Sequence, residues 1–308
     1  MSIVIFYDIN NIIFSIIKEE RGLFMYKLKL GTSLSFVGGE IPVGVADYRK
    51  EFYDELKECK ELGFDSIDFD YTGTRSYTAM TTQFPQLRKG LQAILDAGLE
   101  INGVHLPFAD GDFDLADTNE LKRIASVNYC EEAFKQMEDF KPNAFIFHSS
   151  GEPIYPEGRE KSKEQLIKSL WEITGLTNVN LCMENLPRSC LANTAEETIE
   201  IVDSVPGIKV CVDVNHFLKE KPEDAILKIG SRIATTHISD CDFIDELHRL
   251  PGQSKINFMN VIGALEKVGY NGVFNYEVTR AWPAHIRCTL REIKENYDYL
   301  FEMYNQGK

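Results

Sequence analysis

The chain has 308 residues, 44% of them hydrophobic, enough for one large α/β barrel or two ordinary domains with a sizeable core. Its 33 Lys and Arg face 48 Asp and Glu, and the resulting formal charge of -15 opposes non-specific binding to nucleic acid or to an anionic membrane. The seven Cys form no CxxC pair and several lie in apolar runs, so they read as free buried thiols in a reducing cytoplasm.

The segment SIVIFYDINNIIFSII near the start is apolar but carries Asp8, Asn10 and Asn11. It is too short for a membrane span, and it lacks the basic start and small-residue cleavage site of a signal peptide. Residues 1–24 are therefore expected to be an N-terminal extension of uncertain structure ahead of one domain over 25–308. Met25 opens MYKLKLGTSLS, a good first strand. Runs rich in β-branched and aromatic residues predict strands at 27–34, 64–70, 101–106, 143–149, 178–184, 208–214, 233–239 and 272–278. Amphipathic stretches predict helices over 47–62, 84–97, 118–139, 160–175, 195–204, 222–230, 256–268 and 285–304. In DYRKEFYDELKECKELGF, for example, Phe52, Leu56, Cys59 and Leu62 recur at helical spacing and Gly63 closes the helix. ALEKVGYNGVFNYEV repeats the same helix-Gly-strand logic. Eight β-then-α units predict an α/β fold, a closed (β/α)8 TIM barrel in a single domain. No GxGxxG follows the first strand, which disfavours an open nucleotide-binding sheet.

Four residues carry the chemistry. Glu184 in NLCMEN, Asp213 in KVCVDVNH, His237 in ATTHISD and Glu277 in VFNYEV each follow a predicted strand. Successive strand tips of a barrel converge on one mouth, and two Glu, one Asp and one His meeting there make a mostly oxygen-lined site for a divalent metal. Such an ion, chelating a hydroxyl and a neighbouring carbonyl, acidifies the adjacent C–H and stabilises the enediolate. Glu184 and Glu277 come from strands set apart around the ring, so they can flank a substrate and pass a proton on and off carbon. The long loop DCDFIDELHRLPGQS after the seventh strand falls where barrels build their sites. Its Asp240 and Asp242 read as loop-capping or solvent-facing groups. Trp171 reads as helix core. Trp282 could stack on a sugar or pack in the core. Arg159 and Arg280 lie near strand-end loops and could bind a phosphate or carboxylate; Arg280 sits three residues after Glu277.

With HLPF at 105–108, HSS at 148–150, MEN at 183–185, DVNH at 213–216, HISD at 237–240, DELHRLPG at 245–252 and NYEV at 275–278, the chain resembles the sugar phosphate isomerase/epimerase superfamily of xylose isomerase-like barrels. The resemblance covers about residues 27–304. It implies that Glu184, Asp213, His237 and Glu277 ligate one divalent ion, with Mn²⁺ as first choice and Mg²⁺, Co²⁺ or Zn²⁺ compatible. Glu184 and Glu277 double as the acid-base pair in the ketose 3-epimerase branch, and His216 matches a substrate-contacting His of that branch. The branch's Arg six residues after the strand-7 His is Phe243 here, and its Glu six residues after the strand-5 ligand is Cys190. His105, His148, His216, Glu246, His248 and Arg280 are expected to contact substrate. The implied activity is a cytoplasmic, metal-dependent isomerisation or epimerisation of a small sugar or polyol, without nucleic-acid or membrane partners; a homo-oligomer is compatible with it. Two alternatives remain open. One is a lyase on the same scaffold, an inosose-type dehydratase or a C-glycoside-cleaving subunit. The other is a zinc phosphodiesterase, because endonuclease IV-type nucleases look similar and place further ligands at the positions of His105, His148, His216, Glu246 and His248.

Overall fold

Eight parallel strands close into a ring in sequence order, each hydrogen-bonded to the next and the first to the last. They are β1 Lys29–Ser33, β2 Ser66–Asp70, β3 Glu100–His105, β4 Ala144–His148, β5 Asn180–Glu184, β6 Ile208–Asp213, β7 Ile233–Ile238 and β8 Val273–Tyr276. Between and after them run helices α1 Lys50–Leu62, α2 Phe84–Asp96, α3 Glu120–Met137, α4 Arg159–Ile173, α5 Ala195–Asp203, α6 Pro222–Ile229, α7 Phe258–Lys267 and α8 Leu290–Gln306. This computed structural model describes residues 25–33, 48, 50–70, 83–109, 112–278 and 288–308. The expectations for residues 1–24, Arg280 and Trp282 lie outside the described residues. Among those described, no helix is long and apolar enough to cross a membrane.

Local chemistry sets the element ends. Asn119, Thr194 and Asn257 cap α3, α5 and α7 by accepting backbone N–H bonds, and Thr289 with Glu292 forms a full capping box on α8. That box starts α8 at Leu290, five residues after the predicted 285. Gly63 and Gly269, at φ +86° and +75°, take the left-handed conformation that ends α1 and α7. The next amide then reaches back over the turn, Phe64 to Cys59 and Tyr270 to Leu265, and feeds the chain into the following strand.

Alternation along each strand divides two environments. Ile67, Phe69, Phe145, Phe147, Leu181, Met183, Val210, Val212, Phe274 and Tyr276 join the main core with the helices. The other face is smaller and more polar: Ala144, Ile146, Cys182 and Cys211 form a separate cluster, and Asp68, Asn102, Thr235 and Asn275 are buried nearby. All seven Cys are buried and none forms a disulfide among the described residues. One expectation fails. Trp171 is 54% exposed, because α4 turns Leu166, Ser169, Leu170 and Ile173 inward and the residue after Leu170 points roughly a third of a turn away.

Candidate functional site

The strand register lines the site residues up. Glu184 lies beside His148 across β4–β5, and Asp213 beside His237 across β6–β7. Glu277 follows the end of β8, its amide bonded to the Ile238 carbonyl at 3.0 Å. Glu184, Asp213, His237 and Glu277 are all buried, and each offers a ligand atom within 4.8 Å of the others. His237 Nδ1 sits 2.8 Å from Glu184 Oε1 and 3.3 Å from Glu277 Oε2. Asp213 Oδ2 and Glu277 Oε2 accept no well-formed hydrogen bond, although His216 Nε2 and His237 Nδ1 respectively lie 3.3 Å away. Two buried carboxylate oxygens left without a bond, within a four-residue group of this spacing, fit the donor set of a divalent cation.

The further histidines surround this group. His105 Nδ1 donates to the Leu106 carbonyl at 2.7 Å, which turns Nε2 toward Glu184 Oε2 at 3.0 Å. His148 Nε2 is 3.6 Å from the same oxygen, and its ring stacks on Phe108 with centroids 4.9 Å apart. His216 donates from Nδ1 to the Asn185 carbonyl at 2.9 Å and faces Glu246 Oε2 with Nε2 at 3.0 Å. Asn185 also clasps the Asp213 backbone, accepting its N–H at 2.8 Å and donating to its carbonyl at 3.0 Å. His248 reaches the Glu277 carbonyl at 3.1 Å. Thus His105, His148, His216, Glu246 and His248 lie around the four-residue group. Two side groups, His105–His148–Glu184 and Asp213–His216–His248, have metal-ligand spacing of their own.

Burial and charge act against each other here. Burial raises Glu184, but His237 and His105 outweigh it and hold the carboxyl well below the usual range. Glu277 is likewise raised by burial yet drawn down to about 2 by His237. Burial takes His148 down to about 3, so its ring is neutral. Burial also opposes the charge on His216, but Asp213 and Glu246 carry it up to about 10.

A cavity of about 590 Å³ opens over these groups, within the range of small-molecule sites. Two of its lining residues have no sequence signal of the strand-tip kind. Asp114, in the β3–α3 loop, accepts the amides of Ala116 and Gly151, and burial raises it to about 6. Arg188, in the β5–α5 loop at φ +50°, joins three loops. It grips Glu152 through Nε and Nη2 and reaches Asp245 at 2.7 Å and Glu246 at 2.8 Å through Nη1. A basic residue four positions after Glu184 was the available clue. Arg188→Met is expected to speed amide hydrogen exchange across 242–248 by roughly tenfold or more while leaving the barrel strands protected; unchanged exchange would show that the loop holds itself. Asp240, as expected, organises the loop, accepting the amides of Gly252, Ser254 and Ile256. Arg159 is committed to Glu197 and to the carbonyls of Ser189 and Cys190, so it is a loop brace rather than an anion site.

The same architecture recurs in known proteins. The solved structure of a D-tagatose 3-epimerase-like protein superposes with a TM-score of 0.69 at 22% identity, over 91% of this chain and 99% of that one. A D-psicose 3-epimerase of Ruminiclostridium cellulolyticum is 29% identical over 119 residues, 37% of this chain and 39% of the relative. An inosose isomerase of Bacillus velezensis is 27% identical over 150 residues, 45% of this chain and 53% of the relative. The chain spans 66%, 63%, 39% and 53% of the lengths of four curated relatives it matches. The sequence pattern of the xylose isomerase-like TIM barrel runs through residues 56–301, from α1 into α8 and across every strand that supplies the site. With its closed ring and its acid-lined mouth, the chain belongs to the xylose isomerase-like TIM barrel family.

Proposed function

We propose that this chain is a divalent-metal-dependent isomerase or epimerase of a small sugar or sugar-derived substrate. The observation that carries the reading is the buried group of Glu184, Asp213, His237 and Glu277, ligand atoms within 4.8 Å of one another beneath the cavity. These four residues would hold the ion. A bound divalent ion supplies Lewis-acid polarisation of a carbonyl and its neighbouring hydroxyl, worth several kcal/mol. Glu277 and Glu184 stand ionised at the cavity floor and serve as the proton-transfer pair. The carboxylate that takes the C–H proton becomes the acid for its return, a role worth roughly 10²–10⁴-fold. Return by that carboxylate to the adjacent carbon interconverts aldose and ketose; delivery of a solvent-derived proton to the opposite face by the other carboxylate inverts a stereocentre. Charged His216, held by the Asn185 carbonyl and Glu246, places positive charge beside a developing oxyanion. Neutral His148, beside Phe108, and His105 orient hydroxyls, with Glu246 and His248 closing the wall. Arg280, three residues after Glu277, is a further substrate contact in this reading.

The likeness to proteins named as 3-epimerases and an inosose isomerase supports sugar chemistry. The test is proton NMR in D₂O with the Mn²⁺-, Mg²⁺-, Co²⁺- or Zn²⁺-loaded protein and a panel of free and phosphorylated ketoses and inososes. Deuterium entering carbon with the molecular formula kept supports the proposal. Loss of water or of an aglycone assigns the chain to the lyases, and no exchange with any ion removes the proposal.

A second reading rests on the two flanking ligand groups. Three or more His ligands favour Zn²⁺, and a multinuclear centre would suit phosphodiester hydrolysis. Metal counting separates the two. Under the sugar reading, His105→Ala, His148→Ala and His248→Ala each leave one ion per chain and raise KM. Loss of an equivalent per substitution, together with cleavage of an abasic-site duplex, favours the hydrolase.

A further inference from the structure

We propose that Asp68 is a positioning residue that holds the Nε2 proton of His237 and so leaves Nδ1 as the nitrogen offered to the ion site. The inference rests on the reading of Glu184, Asp213, His237 and Glu277 as a metal centre. Asp68 lies in the middle of β2, on the far side of His237 from the cavity, and only 1% of it is exposed. Its Oδ2 is 3.2 Å from His237 Nε2, while His237 Nδ1 is turned to Glu184 and Glu277. The two ring nitrogens therefore have separate surroundings: one faces the four-residue group, the other a carboxylate outside it.

Asp68 is itself braced. The β2–β3 register slips at Ile67/Asp68, leaving Asn102 as an extra residue of β3. The Asn102 amide donates to Asp68 Oδ1 at 2.6 Å and to Thr235 Oγ1 at 2.9 Å. Bulges re-aim side chains in this way. Thr235 lies two residues before His237 on β7, so the brace ties β2, β3 and β7 together beneath the site. Gly103 completes it, since a Cβ there would come within 2.5 Å of Ile146 Cδ1 and 3.1 Å of the Asp68 carboxylate. A buried carboxylate with one oxygen satisfied by an amide leaves the other free to accept the Nε2 proton. That bond fixes both tautomer and ring plane and makes the opposite nitrogen a better donor to a cation. None of the strand-tip motifs contains Asp68; the available signal was an acid in the middle of a strand with buried neighbours.

The test uses the full chain and Zn²⁺ as the probe. With ¹⁵N-histidine labelling, the ion-free protein is expected to show a low-field, slowly exchanging His237 Nε2–H proton, and the Zn²⁺-loaded protein to keep that proton while Nδ1 shifts to the metal-bound range. Asp68→Asn should move the proton upfield and weaken Zn²⁺ binding roughly 10–100-fold, with circular dichroism unchanged. Asn102→Ala removes the brace without touching Asp68 or the ligands, and should weaken Zn²⁺ roughly three- to tenfold. Wild-type affinity in Asp68→Asn, or an Nε2-bound ion, overturns the proposal. If Asp68→Asn fails to fold, wild-type affinity in Asn102→Ala overturns it instead. A wild-type chain that takes up no ion refutes the metal-centre reading, while the Nε2–H resonance of the ion-free protein still judges Asp68.

Discussion

Glu277→Gln is expected to lower solvent deuterium exchange into the substrate by at least about 10²-fold, and Glu184→Gln to do the same. The geometry behind this is specific. Both carboxylates sit on the cavity floor, their pull from His237 keeps them ionised, and Glu277 Oε2 has no well-formed hydrogen bond to occupy it. Gln keeps the shape and the acceptor oxygen but cannot take a proton. The two variants should differ in a second readout. Glu184 touches His105 and His237 directly, at 3.0 and 2.8 Å, so Glu184→Gln disturbs both rings. Glu277 packs closest to His237 alone among the ligands, at 3.3 Å, so Glu277→Gln should retain more of the ion. Exchange at the wild-type rate in either variant, measured by loss of the substrate C–H signal in D₂O, would remove that residue from the proton path and point to another base.

Ion affinity should fall steeply below neutral pH. In the ion-free protein burial lifts Asp213 to about 7, with His216 opposing the rise and Glu277 adding to it. Asp213 must lose its proton to bind a cation, so below pH about 7 the ion competes with that proton, and apparent affinity drops roughly tenfold per pH unit. The stability sign follows. A carboxyl raised above its unfolded value of about 3.8 favours the ion-free fold at low pH, and that contribution is lost as pH rises through about 7. The ion relieves the buried charge, so its stabilisation should grow from pH 5 to pH 8. At an ion concentration of about 1,000 Kd the gain is about 4 kcal/mol, a Tm increase of roughly 5–15 °C for a domain of this size. Asp213→Asn should abolish the increase and leave a folded, ion-poor protein. Calorimetry with and without Mn²⁺ at the two pH values, alongside elemental analysis, checks both statements. An equal Tm increase at both values, or full occupancy in Asp213→Asn, contradicts them.

The order and type of all sixteen barrel elements could be read from the chain, because helical and strand periodicity are properties of adjacent residues and their turn glycines. Strand ends and the start of α3 at its Asn119 cap were right to within a few residues for the same reason, and the Thr289 cap explains why α8 starts five residues later than expected. The four strand-tip residues could be read too, since barrel closure carries every strand's C-terminal end to one mouth. The sequence also placed His105, His148, His216, Glu246 and His248 beside them. The tertiary structure alone decided which atoms face one another. A one-residue bulge in β3 leaves Asn102 bonded to Asp68, which faces His237 from beneath, and a left-handed Arg188 gathers Glu152, Asp245 and Glu246 from two other loops. Arg159, open to an anion in the sequence reading, is committed to Glu197. Trp171 was lost for a like reason: helical periodicity establishes that one face is buried, and the packing of α4 on the barrel selects which. Periodicity is written between neighbours in the chain, whereas the partners of a charge are set by register and loop closure, between residues dozens of positions apart.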